Sequence, residues 1–202
     1  MLEDKILLWK FKTGRKDSFR AIYDKYADDL IYLAANLLND TSAAEDVVQD
    51  VFVSFVQTRK KIHIKDNLKG YLLTSVANRC RDSLRRNKRQ INYMENHSAN
   101  MMTALNNPVQ RLIHEEELKK LSCALTGLPY QQREVILLRL HGNLKFRQIA
   151  KIRNVSIKTA QSQYRYGLEK LRSIMNGDPL HPRRFASPNE AAGENAGTGV
   201  TK

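Results

Sequence analysis

The chain has 202 residues, 42% of them hydrophobic, with 34 Lys and Arg against 21 Asp and Glu, a formal net charge of +13. That apolar share suffices for one or two ordinary cores and excludes a chain disordered over most of its length, while the charge surplus points to a polyanionic partner. No apolar run approaches the roughly 18 residues of a transmembrane helix, and Glu3 and Asp4 stand where a secretory signal carries positive charge, so a cytoplasmic protein without membrane insertion is expected.

In chain order, Phe19, Ile22, Tyr23, Tyr26, Leu30, Leu33 and Leu37 recur at helical spacing and predict a first amphipathic helix. Val47, Val48, Val51, Phe52 and Phe55 predict a second, with Ser42 and Glu45 in capping-box spacing at its start. Leu68, Leu72, Val76, Cys80 and Leu84 predict a third, with Asp66 as candidate N-cap. Residues 1–86 therefore read as one helical domain. Residues 87–108, Asn-rich and without sustained periodicity, read as a flexible linker.

The pattern resumes after Pro108 with Leu112, Leu118, Leu121 and Leu125, breaks at Gly127 and restarts at Pro129, a residue favoured in the first helical position. Val135, Ile136 and Leu138 mark the next helix, then Phe146, Ile149 and Ala150 a short one, then Ile157, Ala160, Tyr164, Leu168 and Leu171 a longer one. Only Arg153-Asn154-Val155 separates the last two, a turn in which Asn154 can take the left-handed conformation, with Ser156 as N-cap of the helix that follows. This is helix-turn-helix spacing, with Ile157, Ala160 and Leu168 expected to face the core. The domain spans 109–176. Residues 177–202, rich in Gly, Pro, Ala and Asn, read as a disordered tail. The expected fold class is all-α: two small helical domains joined by a flexible linker, the second containing a helix-turn-helix. Cys80 and Cys123 lack CxxC spacing, sit in apolar contexts and are expected as buried free thiols.

Segment by segment, the charge is not uniform. Between Asp24 and Asp50, Asp24, Asp28, Asp29, Asp40, Glu45, Asp46 and Asp50 face Lys25 alone, a net −6. Arg79 to Arg89 carries a net +5, and Arg133 to Arg172 sets ten bases against Glu134 and Glu169, a net +8. Two basic segments on two helical modules, beside an acidic face, suggest two nucleic-acid contacts and a protein-docking surface; solvated helix faces are the plainer reading of each run.

Three motifs carry a family resemblance. They are Ala44-Glu45-Asp46-Val47-Val48-Gln49-Asp50-Val51-Phe52; the run from Lys69-Gly70-Tyr71 through Ala77-Asn78-Arg79 to Leu84-Arg85-Arg86; and Leu128-Pro129, Gln132-Arg133-Glu134-Val135, Gln148-Ile149-Ala150 and Thr159-Ala160-Gln161-Ser162 in succession. The chain resembles a bacterial RNA polymerase sigma factor of the sigma-70 family, extracytoplasmic-function (ECF) subfamily, over about residues 8–175. The resemblance implies a subunit that binds core RNA polymerase through the first motif and directs promoter-specific initiation by recognising −10 and −35 elements through the second and third. It also implies an anti-sigma factor as a partner, no cofactor and no catalytic residue.

The residue chemistry agrees with those roles. Glu45, Asp46, Gln49 and Asp50 form an acidic helix edge suited to a basic partner groove, although Glu45 also reads as a capping carboxylate. Asn67, Lys69, Tyr71, Ser75, Asn78, Arg79 and Arg85 offer polar, flat and basic groups for an unpaired strand at the −10 element, with Tyr71 equally readable as core filler. Lys158, Thr159, Gln161, Ser162 and Arg165 occupy the part of the last helix that enters the major groove at the −35 element. The chain departs from common family residues at Arg147-Gln148, Gln161 and Gln163, which weakens the transfer of phosphate contacts to the last two positions. The competing reading is a helix-turn-helix transcriptional regulator of the response-regulator output type, which residues 128–175 also resemble. An enzyme is disfavoured by the lack of a Walker loop, HExxH motif or zinc-ligand cluster.

Overall fold

The computed structural model describes residues 2–62, 64, 67–95 and 115–176. Among the described residues there are eight helices and no strand. The first, α1 (Leu2–Lys12), has no counterpart among the expected stripes. It is held by two side chains and one polar cluster. Leu8 and Phe11 are buried, Phe11 stacking on Phe55 with ring centroids 4.5 Å apart. Asp4 accepts hydrogen bonds from the Tyr26 hydroxyl at 2.6 Å and from Lys25 Nζ at 2.9 Å.

Helix α2 (Lys16–Leu38) buries Ile22, Tyr26, Leu30, Leu33 and Leu37 of the expected stripe, while Phe19 is only partly buried and Tyr23, at the stripe's edge, is exposed, and it ends at Asn39 in the left-handed conformation with φ 57°. That reversal leaves Asp40 extended, and its carboxylate accepts from the Ala43 amide at 3.1 Å. Asp40 is therefore the N-cap of α3 (Thr41–Gln57), not the expected Ser42–Glu45 capping box. Ser42 lies inside the first turn instead. Helix α4 (Leu68–Glu95) is started by Asn67, whose Oδ1 accepts from the Gly70 amide at 2.8 Å. The expected cap Asp66 lies outside the described residues. The helix also continues past the expected end at residue 86, so part of the anticipated linker is helical; 96–108 and the 177–202 tail lie outside the described residues.

In the second module, α5 (Glu115–Thr126) precedes α6 (Tyr130–Leu140), α7 (Phe146–Arg153) and α8 (Ile157–Asn176). Pro129 is the N-cap of α6, one position before the helix proper, and its carbonyl accepts from the Gln132 and Arg133 amides. The helix-turn-helix forms as expected: Asn154 caps α7 at φ 53°, and Ser156 Oγ accepts from the Thr159 amide at 3.0 Å. Gly167 lets α8 lie against α6, since a Cβ there meets Ile136 Cδ1 at 2.8 Å.

Five expected core positions separate. Cys80 is fully buried and its thiol is pushed up to about 12 by burial, with Glu134 adding to it. Cys123 is exposed, because Ala124 and Leu125 take the inward positions of α5. Ile157, at the first turn of α8, is 45% exposed, while Ala160 is buried and Leu168 partly so.

Asp40→Ala removes the α3 cap and is expected to cost about 1 kcal/mol, read by urea unfolding. Burial raises the Asp4 carboxyl, but the hydrogen bonds from Tyr26 and Lys25 outweigh it and hold the group below its ordinary 3.8. Its stabilisation is thus complete above 3.8 and is lost as pH falls through the depressed folded value. Asp4→Asn is expected to melt at a lower temperature than the parent at neutral pH, with the gap closing under acid conditions, as followed by the fluorescence of the single tryptophan, Trp9.

Candidate functional site

Four surfaces carry the residues of interest. On α3, Glu45, Asp46, Gln49 and Asp50 are all exposed, opposite buried Ala44, Val47, Val48 and Val51. Helical geometry places them along one edge, so the structure brings this set together. Beside Glu45 and Gln49 opens a groove of about 720 Å³ walled by Phe19, Tyr23, Phe52, Val53 and Val56. Val53 and Val56 are 49% and 42% exposed. Their apolar contribution was missed in the sequence because both fall off the buried stripe; two valines on the polar side of a helix were the available signal.

On α4, Tyr71, Ser75, Asn78 and Arg79 share one side and line a pocket of about 220 Å³ with Ser54, Phe55 and Asp82. Tyr71 is 37% exposed, with its ring 6.1 Å from Phe55, so it both packs and presents an edge. Arg79 Nη1 lies 3.9 Å from Asp50 Oδ2, linking the acidic edge to this pocket through an exposed and therefore weak pair. The other three residues are placed elsewhere. Asn67 Oδ1 is occupied in capping α4, Lys69 Nζ is turned 2.6 Å from Asp29 Oδ2 on α2, and Arg85 projects from the exposed distal part of α4.

On α8, Lys158, Thr159, Gln161 and Arg165 are exposed and Ser162 is half-buried. The hydroxyls are already engaged: Thr159 Oγ1 with Ser156 Oγ at 2.8 Å, and Ser162 Oγ donating to the Lys158 carbonyl at 2.9 Å. The Arg165 guanidinium lies 5.0 Å from the Tyr166 ring centroid. Gln163, next to these residues, is not presented outward; its Oε1 accepts from Arg153 Nη1.

The fourth surface was not foreseen. Helix α6 buries Gln132 through Leu138 without interruption, so it is enclosed on all sides. Glu134 has no exposed surface; Arg81 Nε, from α4, lies 2.9 Å from its Oε1, and Arg153 Nε lies 2.9 Å from its Oε2. Arg81 also donates through Nη2 to the Ile152 carbonyl at 3.2 Å and to Asn78 Oδ1 at 2.7 Å. Arg133 reaches the end of α2, donating to Asn39 Oδ1 at 2.8 Å and to the Leu37 carbonyl at 3.4 Å. Burial lowers the pKa of both Arg133 and Arg153. The +8 of the C-terminal segment is thus not a uniform DNA-facing run: Arg133, Arg153 and Glu134 are interior. No signal within the segment marks them, since burial comes from helices distant in sequence. Among the described residues, no cluster of three or more His, Cys, Asp or Glu is placed to hold a metal ion.

Glu134→Ala leaves two guanidinium groups, Arg153 buried and Arg81 partly so, facing each other without their carboxylate, and a destabilisation of about 3 kcal/mol is expected from the loss of one member of a largely buried charge set, measured by urea unfolding of the full chain.

Comparison with known proteins places these surfaces in a family context. Residues 22–90 match the Sigma-70 region 2 family and residues 118–171 match Sigma-70, region 4, together more than half of the chain. The chain is 25% identical over 167 residues to the RNA polymerase sigma factor CarQ of Myxococcus xanthus, covering 82% of this chain and 94% of that protein. It is 24% identical over 157 residues to the ECF RNA polymerase sigma factor SigM of Bacillus subtilis, covering 77% of this chain and 93% of that one. Among solved structures, the fold is similar to the sigma factor RpoE of Bartonella quintana, solved with the anti-sigma factor NepR (TM-score 0.66, 22% identity, 80% of this chain and 98% of that chain). It is also similar to CnrH, solved with the cytosolic domain of CnrY (TM-score 0.62, 20% identity, 87% and 99%).

Proposed function

We propose how this chain, which belongs to the sigma-70 family in its ECF subfamily, acts as a sigma factor: residues of α3 dock on core RNA polymerase, α4 holds the −10 element and α8 reads the −35 element. The carrying observation is the pairing, in one chain, of a region 2 module bearing an acidic edge beside an apolar groove with a region 4 module whose recognition helix is exposed. A helix-turn-helix regulator of the response-regulator type has no use for the first module, and the match over residues 22–90 removes the support for that reading. The function is one of binding and strand holding, with no covalent step.

Docking combines two terms. Glu45, Asp46, Gln49 and Asp50 supply charge complementarity, which sets encounter and register, while Tyr23, Val53 and Val56 supply apolar area along the same edge. On α4, the pocket formed by Tyr71, Ser75, Asn78 and Arg79 offers an aromatic edge, polar groups and a positive charge to an unstacked base and its phosphate. On α8, Lys158 and Arg165 serve phosphates and Gln161 a base edge, with Thr159 and Ser162 as secondary contacts because their hydroxyls are already engaged. An anti-sigma factor completes the set of partners, by extension from the two solved relatives.

The test is co-elution of the purified chain with bacterial core polymerase, followed by mapping of start sites on a genomic template library; no co-elution and no chain-dependent start site defeat the proposal. Asp46→Lys is expected to abolish polymerase binding with unchanged circular dichroism. Arg165→Ala is expected to weaken promoter binding and to lower the slope of log affinity against log salt by about 1, measured by titration at several salt concentrations.

A further inference from the structure

Helix α1 is covered on one side only. Leu8 and Phe11 close onto the core and Asp4 onto Tyr26. Helical spacing places Ile6 and Trp9 on the opposite side, where they are 45% and 64% exposed. Among the described residues, Trp9 is the most exposed large apolar side chain. The other exposed apolar residues of this module have a place already: Tyr23, Val53 and Val56 wall the α3 groove, Tyr71 lines the α4 pocket and Tyr32 lies against His141. Trp9 belongs to neither site, and an indole turned outward adds little to the core.

The surroundings of that indole are basic. From Lys5 to Lys16 the chain carries Lys5, Lys10, Lys12, Arg15 and Lys16 and no acid, a net +5, while Glu3 and Asp4 just before it are paired with Lys25. Helix α1 ends in a Schellman turn: the Gly14 amide donates to the Phe11 carbonyl at 3.1 Å and the Arg15 amide to the Lys10 carbonyl at 3.2 Å, with Gly14 at φ 90°. The turn lies against the end of α3, where Arg59 Nη1 stands 3.4 Å from where a Cβ on Gly14 would be. Lys12 and Arg15, both exposed, therefore share this corner with half-buried Arg59. The corner adjoins the α4 pocket. Phe11 stacks on Phe55 at 4.5 Å, and Phe55 lines that pocket with its ring 6.1 Å from Tyr71. Two residues of helix and two side-chain lengths add about 15 Å to those two steps, so Trp9 and Tyr71 lie within about 25 Å of each other. That is the reach of roughly seven nucleotides even at the stacked spacing of about 3.4 Å.

We propose that α1 carries a further single-stranded DNA subsite, in which Trp9 stacks on an unpaired base while Lys12, Arg15 and Arg59 hold the phosphates beside it, continuing the strand held at the α4 pocket. Resting on the sigma-factor reading above, that strand is the one freed when the −10 element opens. An outward indole among cations with no acid between them fits a polyanion with flat faces, since bases stack on the ring and phosphates meet the charges. A lipid surface fits less well: an interfacial helix turns a continuous apolar face to the bilayer, and here Leu8 and Phe11 face the core.

Trp9 is the single tryptophan of the chain, so the contact is read directly from its fluorescence. Titration of the full chain with an oligothymidylate of about 12 nucleotides is expected to quench that fluorescence, and the duplex of the same length to quench it far less. With a fluorescein-labelled strand followed by anisotropy, Trp9→Ala is expected to weaken binding about tenfold and Trp9→Phe, which keeps a ring, about twofold. Because Trp9 is exposed, both variants are expected to keep the parent's circular dichroism. Arg15→Gln/Arg59→Gln is expected to lower the slope of log affinity against log salt by about 1.4, at roughly 0.7 per single-strand phosphate. On a promoter recovered by start-site mapping, Trp9→Ala is expected to shorten the lifetime of the open complex with core polymerase. No quenching, equal quenching by duplex and single strand, or undiminished binding by Trp9→Ala overturns the subsite. So does a fluorescence response confined to vesicles of phosphatidylglycerol and phosphatidylcholine, which assigns the patch to a lipid surface. An unchanged open-complex lifetime overturns its part in holding the strand. Quenching that depends on Trp9 in a chain that does not co-elute with core polymerase supports the subsite and defeats the sigma-factor reading, because the oligonucleotide titration needs no polymerase.

Discussion

Glu134 has no exposed surface and faces two guanidinium groups, one from its own module and one from the other. Removing charged groups from water is costly, and such a set persists only when each member has its counterpart and its remaining hydrogen bonds. Much of the second module is organised around meeting that condition. Arg153, at the end of α7, is fixed by Glu134 and in turn holds Gln163 of α8. The turn at Asn154 and the cap at Ser156 then determine where the recognition helix starts. The direction in which Lys158, Gln161 and Arg165 project is therefore tied, through two side chains, to a carboxylate that never meets DNA.

Among the described residues, the first module has no comparable interior charge. Its core is aliphatic and aromatic, with Phe11, Phe19, Phe52, Phe55 and Tyr23 in ring contact, and its charges lie outside. That separation lets α3 serve two purposes. One side closes the core; the other presents acids next to an apolar groove. The Asp50–Arg79 pair marks the border between that edge and the polar pocket on α4. It is exposed and weak, so it does not tie Arg79 down.

The two modules are joined by polar and charged contacts as well as by the packing of Leu144 against α4. Apolar cores hold each module shut at any ionic strength, whereas polar and charged contacts between modules are sensitive to competition from water and from other charges.

The sequence by itself determined the local features: most of the α2, α3 and α4 stripes, the turn at Asn154 and the cap at Ser156, because periodicity and capping act over three or four residues. It also carried the family motifs, the acidic α3 edge among them. What only the tertiary structure decided depends on backbone conformation and packing that periodicity and capping patterns do not specify. Asn39 in its left-handed turn moved the α3 cap from Ser42 to Asp40, and Asp29 on α2 drew Lys69 away from the α4 pocket. Ala124 and Leu125 took the inward face of α5 and left Cys123 outside. Above all, an Arg-Glu pair in sequence reads as two solvated charges; only the approach of Arg81, Arg153 and Asn39 makes Arg133 and Glu134 interior, because burial is a property of what packs against a residue and not of the residue itself.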